Sequence, residues 1–289
     1  MILLTGATGT VGSALLRRLT TDGQPVRALV RDQRGLGDQR VRVQIALGDL
    51  ANPPSFRNAL RGVHTVVHLA ASIRDQPMGS IEELNAVATL RLVRAAERAG
   101  VRRFVFFSAL NARLHSRTRF FRAKALAEEA VEASAMETTV FHPSIIYTPG
   151  DPWLTLLDRL SRLPAVPVSG SGRAVFEPVW AEDVADAVMH SLSNGDPSNF
   201  ELVGPELLSY DDIVRVALRA ARRRRRLLHV PLPLVRASLR SLRRLGGPKV
   251  FATWEEAELM EEPMVSERGT AEIEKLGVHP HSMPAVLGS

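Results

Sequence analysis

The sequence predicts an α/β protein: a doubly wound parallel sheet with a smaller C-terminal α/β region on the substrate side. Three observations carry this. Apolar runs alternate with amphipathic stretches through the first half, a glycine triplet joins the first run to the first helical stretch, and the rhythm loosens after about residue 150. The expected division is therefore residues 1–150, the domain that the glycine triplet opens, and residues 151–289, a smaller region packed on the carboxyl edge of the sheet.

Ile2–Thr5, Pro25–Val30, Val41–Ala46, His64–Leu69, Arg103–Ser108 and Thr138–His142 are short and rich in β-branched and aromatic residues, as buried strands are. Thr10–Thr21, Ile81–Ala99 and Arg117–Ala135 place apolar residues at helical spacing between them. Strand, helix and strand in succession require right-handed crossovers, and hence a parallel sheet. Asn52-Pro53 reads as a helix start, with Asn as cap and Pro in the first turn. Beyond residue 150, prolines and the Gly170–Gly172 pair break the pattern. Helices are expected over Ala181–Ser193, Ser209–Arg223, Leu232–Leu245 and Thr253–Glu261.

Composition narrows the function. Apolar residues make up 45% and charged residues 24% of 289, which suits a folded chain and not a disordered one. Cysteine is absent, so disulfides, thiolate metal sites and cysteine nucleophiles are excluded, and the histidines and carboxylates show no metal-ligand spacing. No apolar run is long enough to span a bilayer, and MILLTGATG has no basic region ahead of its apolar stretch; a cytoplasmic protein is expected. Of 37 basic residues only Lys124, Lys249 and Lys275 are lysines, leaving 34 arginines. A lysine in such a chain answers to more than generic charge. The net charge of +6 suits an anionic ligand, while scattered arginines and only 5% aromatics argue against nucleic acid.

Gly6, Gly9 and Gly12 form G-x-x-G-x-x-G directly between a strand and a helix. Gly6 permits the sharp turn, Gly9 lets backbone approach a pyrophosphate, and Gly12 allows close helix–strand packing. The N–H groups around Thr8, Thr10 and Val11 then face the phosphates at a helix N-terminus. The second strand runs into Arg31, with Arg34 close behind. A guanidinium there holds a 2′-phosphate, so NADP is expected; Asp32, if turned inward, would leave NAD as the alternative.

These residues, together with GDL at 48–50, HLAA at 68–71, RFVFFSAL at 103–110, FRAKALAE at 121–128, HPSIIYTPGD at 142–151, PVWAEDVADAV at 178–188 and LVGPELLSYDDIV at 202–214, resemble the extended, atypical short-chain dehydrogenases/reductases. Within that superfamily the sequence is most similar to relatives of the nucleotide-binding accessory subunit of complex I, with NmrA-like proteins as neighbours. The resemblance implies a Rossmann fold and a set of cofactor contacts. Asp49 and Leu50 would touch the adenine, and Ala70 and Ala71 the adenosine and ribose side. Ser108 would lie beside the nicotinamide ribose, Lys124 would bond its hydroxyls, and Pro143, Ser144 and Ile145 would cover the nicotinamide. It also exposes two departures. The family's catalytic tyrosine, four residues before the lysine, is Phe120, and its catalytic serine or threonine is Ala109. A general acid–base contributes ~10²–10⁴ in rate, and neither Phe nor Ala has a proton to give.

Lys124 is then the candidate catalytic group. His142 and Tyr147 are lesser candidates, more simply read as structural, and His68 is read as a packing residue. The resulting expectation is an NADP-dependent oxidoreductase of atypical mechanism acting on an unidentified small molecule. A non-catalytic dinucleotide-binding protein serving redox sensing, stability or assembly is the alternative. Nucleotide-sugar epimerisation or dehydration is a weaker alternative, because it needs the missing tyrosine.

Arg222–Arg226 are five consecutive arginines, and Leu234–Leu245 gathers leucines on one side and arginines on the other. Such a segment either packs on the protein's own core or lies on an anionic membrane or an acidic partner.

Overall fold

The computed structural model describes residues 1–195, 198–238 and 254–288. Contacts divide the chain into two compact units: residues 1–143, 181–202 and 271–279 form the first, and 144–180, 203–270 and 280–289 the second.

The first unit is a seven-stranded, all-parallel sheet. Its strands are β1 (Ile2–Thr5), β2 (Val26–Val30), β3 (Gln44–Leu47), β4 (Thr65–His68), β5 (Arg103–Phe107), β6 (Glu137–Pro143) and, after a long excursion, β11 (Asn199–Leu202). Their order across the sheet is β11-β6-β5-β4-β1-β2-β3. β1, β4 and β5 are buried along their whole length, as central parallel strands covered on both faces must be. Leu3, Val66, Phe104, Phe106 and Val140 from the sheet meet Phe56, Leu60, Leu92, Ala96 and Val131 in one apolar core. The order reverses between β1 and β4, and ligands of open α/β sheets bind beyond the carboxyl ends at such a reversal.

Helices α1 (Thr10–Thr21), α3 (Ala88–Arg98), α4 (Arg119–Glu132) and α6 (Ala181–Asn194) belong to this unit. Arg18 of α1 pairs with Asp186 of α6 at 2.6 Å, and Arg17 and Arg18 both pair with Glu182. The single division expected near residue 150 is therefore replaced by an interleaved one. Ala181–Leu202 returns to supply a helix and the seventh strand, and α9 (Ala271–Lys275) also belongs to the first unit.

Three local expectations shift. The third strand starts at Gln44 rather than Val41, because residues 33–41 coil into 3₁₀ turns kinked at Gly37 (φ 54°) and leave Val41 exposed. Asn52 precedes the short helix α2 (Pro53–Phe56), but its side chain makes no cap; its carbonyl accepts from Ser55 instead. Ile81–Ala99 is not one regular helix. Glu83–Val87 forms a π-helical turn ahead of α3, opened by a reciprocal Ser80–Glu83 capping box.

Within the second unit, β7 (Ile146–Tyr147) pairs with β10 (Val179–Trp180), β8 (Ala165–Ser169) with β13 (Arg226–Val230), and β9 (Val175–Phe176) with β12 (Leu208–Ser209). Asp151 caps α5 (Pro152–Leu160) and Ser209 caps α7 (Tyr210–Ala220) through their side chains. Tyr210 stacks on Trp153 at 6.4 Å. Of the expected helix Leu232–Leu245, residues 232–238 are helical and 239–245 lie outside the described residues; the next helix, α8, covers Trp254–Leu259. Among the described residues no helix is long and apolar enough to cross a membrane.

Candidate functional site

The turn between β1 and α1 is held by its own backbone: Gly9 N–H donates to Gly6 O at 2.9 Å, and Ser13 N–H to Gly9 O at 2.9 Å. Gly6 has φ 72°, and a Cβ there would sit 2.7 Å from Ala70 N. A Cβ on Gly12 would sit 2.0 Å from Gly6 O. Both glycines are thus demanded by the protein itself. Gly9 is different. Its φ of −81° suits any residue, and an added Cβ would touch only Gly6 O, at 3.3 Å. Gly9 is the N-cap of α1 and offers no side-chain cap, so the N–H groups that open the helix are left for an outside acceptor. Thr8 and Gly9 are exposed and Thr10 is half-buried, while the Val11 side chain is in the core, leaving only its backbone to serve a ligand.

Arg31 and Arg34 are exposed after β2. Asp32 turns its carboxylate onto Arg34 N–H at 2.9 Å, capping the following turn. Gly35 comes so near Thr8 that a Cβ would lie 2.9 Å from Thr8 Cγ2, which brings this loop to the glycine turn. After β3, Asp49 shapes its own loop by accepting from Ala51 N–H at 2.9 Å, and Leu50 packs partly on the core.

Ala70 and Ala71 follow β4, and a buried polar chain holds them there. Thr89 donates its single hydroxyl hydrogen to Asn85 O at 2.5 Å. His68 Nε2, 2.9 Å from Thr89 Oγ1, must therefore carry the hydrogen, and His68 Nδ1 accepts from Thr5 Oγ1 at 2.7 Å. Thr5 Oγ1 in turn receives Ala70 N–H at 3.3 Å. Burial, aided by Lys124, lowers His68 to about 3, so it stays neutral. Asn85, inside the π-turn, bonds both the N–H and the carbonyl of Ser72. Arg119 at the start of α4 grips Asp75 at 3.0 Å and Glu82, fixing the rest of this loop.

The second cluster lies at the carboxyl ends of β5 and β6. Lys124 Nζ is buried and donates to Phe107 O at 2.5 Å, with the Phe106 ring centre at 4.9 Å and that of Phe120 at 5.8 Å. Desolvation lowers Lys124 to about 7, against the opposing pull of Glu128. Glu128, one turn along α4, accepts from Ser108 Oγ at 2.6 Å and faces His142 Nε2 at 2.8 Å. Burial alone would raise Glu128; the bonds from His142 and Ser108 and the Lys124 charge hold it below the usual carboxylate value. Ala109 is buried, and Pro143 O accepts from Leu110 N–H at 3.0 Å.

Ser144 and Ile145 belong to the second unit. There the Ser144 hydroxyl donates to Met264 O at 2.7 Å and accepts from Glu177 N–H, and Ile145 O accepts from Val179 N–H. Tyr147 is also in that unit and fully buried. Sequence reasoning missed Glu128 and Asn85. The i,i+4 spacing of Glu128 from Lys124 on one helix face was a usable signal; for Asn85 there was none.

A family model described as NAD(P)H-binding matches residues 6–195. The chain belongs to this NAD(P)H-binding family. Among its relatives is subunit 9 of the NADH dehydrogenase (ubiquinone) 1 alpha subcomplex of Arabidopsis thaliana mitochondria. It is 27% identical over 80% of this chain and 60% of that protein, so the chain spans less than two thirds of that subunit's length. The ceramide reductase of Caulobacter vibrioides is 29% identical over 81% of this chain and 74% of the enzyme. A nucleoside-diphosphate-sugar epimerase from Staphylococcus aureus shares the fold with a TM-score of 0.78 at 18% identity, covering 100% of this chain and 99% of the other. The family agrees with the resemblance read from the motifs, and the Gly9 geometry fits its cofactor: neither backbone conformation nor internal packing accounts for that glycine, while a closely approaching pyrophosphate does.

Proposed function

We propose that the protein binds NADP(H) at the Gly6–Gly12 turn and the loops after β2, β3 and β4. It keeps the dinucleotide as a stabilising, redox-reporting or assembly ligand, without tyrosine-driven proton transfer. When bound, a nicotinamide dinucleotide supplies or accepts hydride. The observation that carries the reading is the Phe120–Lys124 pair: a hydrocarbon ring stands where the family places a phenol, and the lysine beside it is tied to Phe107 O. Ser108 gives its hydroxyl to Glu128, and Ala109 has none to give. The preference for NADP is supported by exposed Arg31 and Arg34, and by Asp32 spending its carboxylate on a backbone cap.

A second reading is favoured by one observation. A lysine lowered to about 7 can give and regain a proton near neutrality, so Lys124 itself could serve as acid–base group in a reductase, as the likeness to ceramide reductase would suggest. Calorimetric titration with NADPH and NADH tests the binding claim. NADPH should bind more tightly, and Arg31→Ala should remove most of the difference; equal affinities for the unaltered protein would refute the choice of cofactor. Incubation with NADPH and a panel of aldehydes and ketones tests the chemistry. Turnover that Lys124→Met abolishes would establish the second reading over the first.

A further inference from the structure

The second unit carries a basic surface that dinucleotide binding leaves unexplained. From Ile213 to Thr253 the sequence holds eleven arginines and one lysine, and no aspartate or glutamate. Within the described residues of that stretch, 213–238, Arg222, Arg224 and Arg226 are exposed and make no ion pair among the described residues. Arg223 and Arg225 are committed inward: Arg223 donates to Asp158 O and Ser161 Oγ, and Arg225 to Ser161 O. Two acids beside this surface are occupied, and the acidic stretch after Trp254 is engaged in part, with Trp254 against Arg236 and Glu261 accepting from Ser171 N–H. Asp158 pairs with Arg162 and Arg223, and Asp211 with Arg215 and His229. Leucines stand among the free cations: Leu228 is 58% exposed and Leu234 is 60% exposed. Leu228 lies on β13, whose one strand partner among the described residues is β8, and Leu234 lies on the helical turn that follows.

We propose that this surface docks on an anionic lipid membrane, with Arg222, Arg224 and Arg226 facing the headgroups and Leu228 and Leu234 entering the interface. Cations alone would serve any polyanion. Bare leucines among them gain nothing in water or against a nucleic-acid backbone, but contribute at a bilayer surface, where apolar burial and charge attraction act together. The inference does not depend on how the dinucleotide is used.

The 289-residue chain would be sedimented with phosphatidylcholine vesicles containing or lacking phosphatidylglycerol. Binding is expected only with the anionic lipid, and should fall sharply as salt rises toward ~1 M, where the Debye length is about 3 Å. Each arginine near such a surface is worth about a fivefold gain, so the triple variant Arg222→Gln, Arg224→Gln, Arg226→Gln should bind ~100-fold more weakly. Leu228→Ser with Leu234→Ser should remove the part of binding that survives high salt. Retained thermal melting shows that the variants fold; should the triple variant not fold, the salt titration of the unaltered protein decides. The proposal is overturned by no binding, by equal binding to neutral vesicles, by salt-insensitive binding, or by full binding of the leucine variant with displacement by DNA or polyaspartate. That last result would assign the surface to an acidic macromolecule.

Discussion

Replacing Lys124 by methionine should change stability with a sign that reverses with pH. The ammonium is buried against Phe106 and Phe120, and burial lowers its pKa from 10.5 to about 7. Each pKa unit is worth ~1.4 kcal/mol, so folding the charged lysine into this site costs ~5 kcal/mol. Because the folded value lies below the unfolded one, the cost is fully present below pH ~7 and disappears as pH rises toward the unfolded value. Methionine has similar length and no charge, so it escapes this cost. It leaves Phe107 O without its donor, a loss of ~1–3 kcal/mol that does not vary with pH. At pH 10 the unfolded lysine is still largely protonated and ~1 kcal/mol of the cost remains, so the variant should be more stable than the parent by ~2–4 kcal/mol at pH 6, and less stable by ~0–2 kcal/mol at pH 10. Urea unfolding of both proteins across this range measures the difference, and subtraction cancels the groups they share. A difference that stays flat with pH would mean that Lys124 does not sit in an apolar site, and the argument built on its environment would fail.

The glycine turn makes a paired prediction. Gly12→Ala forces a Cβ to 2.0 Å from Gly6 O and should cost ~3 kcal/mol or more, visible as a lowered melting temperature. Gly9→Ala meets only Gly6 O at 3.3 Å and should cost less than ~1 kcal/mol, yet weaken NADPH binding at least ~10-fold in calorimetry. Arg119→Ala removes half-exposed pairs with Asp75 and Glu82, so its effect on global stability should stay near ~1 kcal/mol. It should instead speed proteolytic cutting between residues 72 and 80, because the loop loses its tie to α4; unchanged cutting rates would show that Asn85 and the Asp75–Ile81 bond suffice to hold it. Exchange of Asp32 for alanine should leave NADPH binding within ~3-fold, since its carboxylate serves a backbone N–H, whereas a large gain in NADPH over NADH affinity would show that it faces the ribose.

The sheet was legible because β1, β4 and β5 are buried on both faces and so read as unbroken apolar runs beside helices with one apolar face. The turn at Gly6 and Gly12 was legible because steric demand there excludes every other residue. β11 was not: its NFEL carries one fully buried residue, and its place in the sheet depends on a pairing with β6 nearly sixty residues back in the chain. The π-turn was hidden for a similar reason, since Asn85 is held by Ser72 in a loop and not by its sequence neighbours alone. At the site, Phe120 and Ala109 could be read one position at a time. The Ser108–Glu128–His142 cluster could not, because it joins one helix to two strands.

The seventh strand has a consequence for how this chain can be made and dissected. Its partner β6 is complete at Pro143, but β11 begins only at Asn199, so a ribosome must extrude more than fifty further residues before that sheet margin is covered. Until then β6 presents a raw row of peptide groups, the kind of margin on which nascent chains clump. A fragment ending near residue 150 would keep that bare margin permanently. A spliced gene that joins Pro143 to Ala181 by a short flexible bridge, and carries on through Leu202, is the better route to a free-standing sheet.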